Sequence, residues 1–320
     1  MRELAIVIPG YNCEEFIGNC INSILRQEFS DYDIFFVDDG STDNTAGEIR
    51  KFNDSRINYI FQKNSGVSAA RNRGLEEVLE YPYVMFVDAD DWLEPRCLAT
   101  VMNQVDGQDY IFFDWNKYRI RNGVKESVPC KMNENFSMKV SVTDLQHHLL
   151  RSRSGGSPWG KLFKGTIIKT YGIRFNEALP YAEDYLFNLA FLARSKTALY
   201  IPECLYGYNC YQEGARAKFR ENMFDILLIT EKEKVALYPK VNHAERSLIQ
   251  ADYLERISSC ILNLNDPRYP RENRKSEFKR ISKVLQSEYS FSDILRAEVN
   301  FKVKGCCLAA MLGIRVQNKV

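Results

Sequence analysis

Residues 86–92 read FVDADDW, three carboxylates in four positions directly after the apolar run Tyr83–Val87. Like charges this close repel and raise one another's pKa unless something positive sits between them. On extended backbone, residues i and i+2 face the same way, so Asp88 and Asp90 are expected to converge on one volume at a strand end. A hard divalent cation fits there, held by few protein oxygens and completed by water and phosphate. It would act as a Lewis acid, neutralising the charge that builds on a departing diphosphate. A plainer reading stands beside it, in which these acids are a solvated turn and Asp91 lies near a helix N-cap.

Two other clusters carry similar chemistry. In VDDGSTDNT (37–45), Asp38 and Asp39 end a strand and Gly40 permits a tight turn. A carboxylate here can accept from a pyrimidine N3–H or from ribose hydroxyls, whereas Ser41 and Asp43 read as a turn and cap. In NSGVSAARNRG (64–74), small residues allow a helix start to pack closely on a sheet. Spacing places Arg71 on one face with Val67 and the Ala70/Gly74 neighbours, aimed at phosphate or engaged in a salt bridge.

The elements that must position these residues alternate between two periods. LAIVIP (4–9), DIFFVDD (33–39), INYIFQ (57–62), YVMFVD (83–88) and DYIFFDW (109–115) read as strands. Between them, 13–27, 43–53, 67–79 and 95–105 read as helices. Strand alternating with helix means a mostly parallel sheet covered on both faces, with ligands beyond the carboxyl ends of the strands. Gly10–Asn12, Asp38–Asp43, Asn64–Arg71 and Asp88–Asp91 all fall at that edge. Residues 116–180 are less regular, 181–194 read as a helix, and from about 220 the chain is mostly helical.

The totals narrow the choice. The chain has 320 residues with formal net charge +1, so no global field favours nucleic acid. The nine cysteines show no CxxC and read as reduced thiols of a cytoplasmic protein. Only three histidines occur, so a bound metal must rely on oxygen ligands, which favours Mg²⁺ or Mn²⁺. The opening MRELAIVIPGYN is too short in its apolar run for a signal peptide, and no run has the length of a membrane span.

Together, VIPGYNCEEFIGNCINSILRQ, VDDGSTDNT, NSGVSAARNRG and FVDADDW resemble family 2 glycosyltransferases. The match is close over residues 3–115 and looser to about 210. The resemblance implies an α/β GT-A fold, a Rossmann-like mostly parallel sheet flanked by helices, followed here by a C-terminal helical region. It implies sugar transfer with inversion from a nucleoside diphosphate donor, usually a UDP-sugar. In the family the I-P-x-Y-N loop frames the base, which carries onto Pro9, Tyr11 and Asn12. Glu14 matches an acid near the nucleoside, Asp39 the acid that meets the base, and Arg71 a basic residue on the donor side. Asn64, Gly66 and Ala89 belong to the same donor-binding motifs. Asp88 matches the acid that meets the ribose, and Asp90 the metal ligand.

An inverting displacement also needs a base for the acceptor's proton. YAEDYLF (181–187) resembles the family's E-D pair, making Asp184 the base and Glu183 its neighbour on the acceptor side; acids at a helix N-terminus are also ordinary caps. SPWGKLFK (157–164) matches the segment before the base, placing Trp159 and Lys161 on the acceptor side, with core packing as the alternative for Trp159. The strand LYGYNCYQEGARAKF (205–219) departs from the pattern: Asn209 and Cys210 stand where a basic residue belongs, leaving Arg216 or Lys218 to substitute.

The expected organisation is a donor-binding half at 1–115, an acceptor-binding half at 116–219 and a helical region at 220–320. In the last, PRYPRENRKSEFKRISK (267–283) and the basic residues around GCCLAAMLGI (305–314) read as a segment that seeks an anionic membrane surface. Packing of that segment onto the protein's own body is the competing reading. The partners expected are a nucleotide-sugar donor and a glycan or lipid-linked acceptor, at the inner face of the membrane, in surface polysaccharide synthesis. Two other classes stay open: a non-catalytic nucleotide-sugar-binding or scaffold protein, and a nucleotidyltransferase. The acidic PGYNCEE loop argues against the nucleotidyltransferase, and the intact acid motifs against the scaffold.

Overall fold

The computed structural model describes residues 2–121, 124–132, 135–152, 155–210, 219–238 and 242–314. Four parallel strands open the chain: β1 (Leu4–Gly10), β2 (Tyr32–Asp38), β3 (Ile57–Phe61) and β4 (Tyr83–Phe86). Each is followed by the expected return segment, with helices α1 (Ile17–Leu25), α2 (Thr45–Arg50) and α3 (Val67–Glu77) joining the first four. Every residue of β1 is buried, as a central parallel strand covered on both faces requires. Ile17, Cys20, Ile21 and Ile24 form the inward stripe of α1 at helical spacing. On α3, a Cβ at Gly74 would collide with Val7 Cγ1, so the small residues of the 64–74 motif do set a close approach of helix to sheet.

The sheet continues through β5 (Trp92–Leu93), β6 (Tyr110–Arg121), β7 (Val124–Cys130), β8 (Lys161–Lys164) and β9 (Ala198–Asn209), in the order β3-β2-β1-β4-β8-β6-β9-β5, with β7 on β6. Strand β8 is antiparallel to β4 and to β6, while β9 runs parallel to β6. Helices α4 (Cys97–Met102), α5 (Val142–Ser152), α6 (Gly165–Tyr171) and α7 (Glu183–Leu192) complete this part. Phe86 at the end of β4 meets Phe163, Phe175 and Phe187 edge to face, locking β8 and α7 to the parallel strands. The expected division at 115/116 falls inside β6.

Two compact units result: residues 1–146 with 154–214, and residues 147–153 with 215–320. The second contains α8 (Met223–Leu237), α9 (His243–Asn263), α10 (Arg274–Glu288), α11 (Phe291–Arg296) and α12 (Phe301–Met311). The apolar stretch read as surface-seeking is buried along one side only, and its end, Leu312 and Ile314, is exposed. Val303, Cys306, Cys307, Ala310 and Met311 of α12 are buried, and Cys307 Sγ reaches the Leu254 carbonyl of α9 at 3.6 Å. These buried residues pack within the unit's own core, as in the competing reading, while Phe301, Leu312 and Ile314 stay exposed. Among the described residues no helix is long and apolar enough to cross a membrane. Arg315 and Lys319 lie outside the described residues.

Candidate active site

The four polar clusters meet at the carboxyl edge of β1, β2, β3 and β4. The first two are stitched together by reciprocal bonds. Asn12, at φ 48, accepts from the Thr42 N–H at 2.8 Å, and its own N–H donates to Ser41 Oγ at 3.0 Å. Glu14 accepts from the Asn44 N–H at 2.7 Å. Asn12 and Glu14 therefore shape the rim between the two loops, while Tyr11 beside them is exposed. Pro9 sits in β1 opposite Val37.

Asp39 is buried at the end of β2, where it accepts from Gln62 Nε2 at 2.7 Å and from the Ser65 and Gly66 N–H groups at 2.8 Å each. It thereby fixes the start of the third loop. Gly66 takes φ 93, a left-handed value that favours glycine, and a Cβ on Gly40 would lie 2.6 Å from the Asn64 nitrogen. Asp38 is engaged differently, by the Ser41 N–H at 2.8 Å and the Tyr59 hydroxyl at 2.6 Å.

The acid loop departs from the extended geometry expected of it. β4 ends at Phe86, and the chain turns, with the Asp91 N–H donating to the Asp88 carbonyl at 3.0 Å. Asp88 and Asp90 thus owe their proximity to a turn rather than to strand alternation. The loop's three carboxylates, Asp88, Asp90 and Asp91, also separate in their partners. Asp88 accepts from Arg71 Nη2 at 2.9 Å. Asp91 is no helix cap: it is buried and accepts from the Tyr206 hydroxyl at 2.6 Å and the Asn209 N–H at 2.7 Å. Burial and the Asp88 and Asp90 charges push its carboxyl well above the usual range, against the pull of those two donors. Asp90 is half-buried, and burial and the Asp88 charge raise its carboxyl to about 6. Ala89 is buried at the turn between them.

Those oxygens suit a hard divalent cation, which would relieve an Asp90 carboxyl that burial first and Asp88 second have raised. Among the described residues no group of three His, Cys, Asp or Glu could enclose a metal ion.

Arg71 is the hub of the site. It is buried, and its guanidinium spans from Asp88 to Glu183, whose Oε1 lies 3.6 Å from Nη1. Burial opposes its charge, but Asp88, Glu183 and Asp184 together outweigh that and hold the pKa up. The face of the guanidinium lies over Phe175, 5.3 Å from the ring centroid. Glu183 and Asp184 open α7 after Ala182, which takes φ 70. Burial and Asp184 raise the Glu183 carboxyl, against Arg71.

Trp159 and Lys161 are less accessible than an acceptor-contact role suggests. The Trp159 ring stacks on Tyr206 at 4.7 Å and on Tyr208 at 5.3 Å, with Trp115 edge-on. Lys161 is 3% exposed and donates to the Ser157 carbonyl at 2.6 Å and the Trp159 carbonyl at 3.1 Å. Burial lowers its ammonium to about 7. Arg216 and Lys218 fall outside the described residues.

A sequence model described as Glycosyl transferase family 2 matches residues 5–172, more than half of the chain. The chain belongs to this family. The glycosyltransferase GlyA of Streptococcus pneumoniae serotype 4 (strain ATCC BAA-334 / TIGR4) is 28% identical over 95% of this chain and 46% of its own length. EpsJ of Bacillus subtilis (strain 168), an uncharacterized glycosyltransferase, is 30% identical over 64% of this chain and 60% of its own. This family 2 chain thus spans about half the length of the first relative and three fifths of the second. A crystal structure of S. aureus TarS 1-349 in complex with UDP superposes with TM-score 0.73, at 21% identity, over 97% of this chain and 87% of that one. The GT-A fold implied by the motifs is therefore the fold observed.

Asp91, read from its motif as a turn acid, and Tyr206 anchor the acid loop to β9 of this family 2 site. Two further residues that build the site were not singled out. Asn72 exchanges bonds with the Phe175 backbone, its Oδ1 accepting from N–H and its Nδ2 donating to the carbonyl, each at 2.9 Å. Asn188, on α7, joins that helix to residues 156 and 157. Its one sequence signal is a carboxamide inside the apolar run EDYLFNLAFL.

Proposed function

We propose that this chain transfers a sugar from a nucleoside diphosphate donor, with UDP as the nucleotide, to a hydroxyl of a cell-surface glycan or polymer, with inversion at the anomeric carbon. One observation carries the reading. A single buried arginine bridges Asp88 of the donor-side acid loop and Glu183 beside Asp184, so acids 95 and 96 positions apart in sequence share one site. The UDP complex of TarS and that protein's name, a poly(ribitol-phosphate) beta-N-acetylglucosaminyltransferase, support the nucleotide and the polymer class.

In this reading Pro9, Tyr11, Asn12, Glu14, Asp39, Asn64 and Gly66 frame the nucleoside, and Asp88 the ribose. Asp184 takes the acceptor hydroxyl's proton while the acceptor oxygen bonds to the anomeric carbon and the bond to the leaving phosphate oxygen breaks. Glu183, held by Arg71, lies on the acceptor side. Asp90 would hold a divalent cation, Mn²⁺ or Mg²⁺, which supplies charge neutralisation to the leaving diphosphate when bound. Asp184→Asn should keep UDP affinity by calorimetry and lose transfer; retained turnover would move the base elsewhere.

A further inference from the structure

Asn188 stands one helical turn after Asp184 and bonds to that residue's backbone carbonyl. It is fully buried. Its Nδ2 lies 2.8 Å from the Gly156 carbonyl, 3.1 Å from that of Ser157 and 2.9 Å from that of Asp184. Its Oδ1 accepts from the Tyr110 hydroxyl at 3.1 Å. Only an amino group can face three carbonyl oxygens, so the chemistry fixes which way this amide points. Lys161 approaches the same strip, its ammonium on the Ser157 and Trp159 carbonyls. The Ser157 carbonyl is therefore gripped by both side chains.

The two cross-links have a route to the donor side. Trp159 stacks on Tyr206, whose hydroxyl donates to Asp91 and accepts from the Asp88 N–H at 3.1 Å. From Asp184 the path runs through Asn188, residues 156–159 and Tyr206 to the acid loop. We propose that Asn188 and Lys161 are a positioning pair that sets the spacing between the base Asp184 and the donor held at residues 88–91. This rests on the reading of Asp184 as base. Donor affinity has supports of its own, since Asp39 is held by Gln62, Ser65 and Gly66, and Asp88 by Arg71. Loosening the pair should therefore act on turnover more than on binding, because a displacement of about 1 Å can cost about 100-fold in rate.

The test uses the full chain with Asn188→Ser, Lys161→Met and the double variant. UDP affinity is measured by calorimetry with Mn²⁺. Turnover is measured as nucleoside diphosphate release from whichever of UDP-GlcNAc, UDP-glucose, UDP-galactose and GDP-mannose the unaltered protein uses best, with water supplying the hydroxyl that receives the sugar. The expected result is UDP affinity within about twofold of the parent and kcat lower by about 10- to 100-fold. The double variant should lose little more than the worse single one, since both act through one carbonyl. Unchanged kcat, affinity falling in step with kcat, or additive losses would overturn the inference, as would loss of folding in both single variants, which would make the pair structural. Retained turnover in Asp184→Asn would instead sink the base assignment. A parent protein that releases nucleoside diphosphate from none of the four donors would sink the sugar-transfer reading and this inference with it.

Discussion

Replacing Asp90 by asparagine should make the metal-free protein more stable. Burial and Asp88 raise this carboxyl from 3.8 to about 6. A carboxyl whose folded pKa exceeds its unfolded value binds more protons folded than unfolded between pH about 4 and 6. The stability it contributes therefore falls as pH rises through that window, and above it the charged group strains the fold. Two pK units correspond to about 3 kcal/mol, and partial solvent access reduces this to about 1–2 kcal/mol. For a unit of this size that is about 3–6 °C in Tm. The protein's three tryptophans, Trp92, Trp115 and Trp159, all lie in the unit that holds the site, so their fluorescence reports its unfolding. In EDTA at pH 7.5, Asp90→Asn should melt above the parent, and the gap should close near pH 4. With Mn²⁺ and UDP the order should invert, because only the parent keeps the anionic ligand. An asparagine variant no more stable than the parent in EDTA would show that Asp90 is already compensated, and the argument for a missing cation would fail.

Arg71→Met should cost about 3–5 kcal/mol, since it leaves Asp88 and Glu183 facing each other without their buried partner; urea melts giving under about 1 kcal/mol would refute the hub. Tyr206→Phe should cost about 1–3 kcal/mol by stripping Asp91 of its hydroxyl donor, and an unchanged melt would mean the latch is idle. Lys161 is held near pKa 7 against 10.5, so the unfolded chain binds more protons than the folded one above pH 7 and this group makes stability rise with pH up to about 10. In Lys161→Met that slope should flatten between pH 7 and 9, and an unaltered slope would place the lysine's charge in solvent.

Much of this arrangement was legible because it is local. The apolar runs and helical stripes of residues 4–115 each answer to one period, and the loops at their ends inherit their place from the strands. Arg71 was legible only in part: helical spacing set it beside Ala70 and Gly74, but grouped it also with Val67, which is exposed while Arg71 is buried against Asp88 and Glu183. What the spacing could not supply was the partner. Asp88 and Glu183 are remote in sequence, and nothing in either motif says that one guanidinium serves both. The C-terminal stretch shows the same gap: GCCLAAMLGI has an apolar side, but composition does not say whether lipid or α9 covers it.

The acid loop shows why strand alternation was the wrong ruler for it. Alternation would make Asp88 and Asp90 equivalent and throw Asp91 to the other side. A turn instead gives each acid its own neighbour, since its backbone bond from Asp91 to Asp88 reverses the chain. Asp88 goes to Arg71, Asp91 goes under Tyr206 and Asn209, and Asp90 remains in the site with its charge unmet. Two of the three carboxylates are thus spent on holding the third in place. Arg71 neutralises Asp88, Asp91 is held by two uncharged donors with its carboxyl still pushed well above the usual range, and the charge on Asp90 is what a cation carrying a diphosphate would relieve.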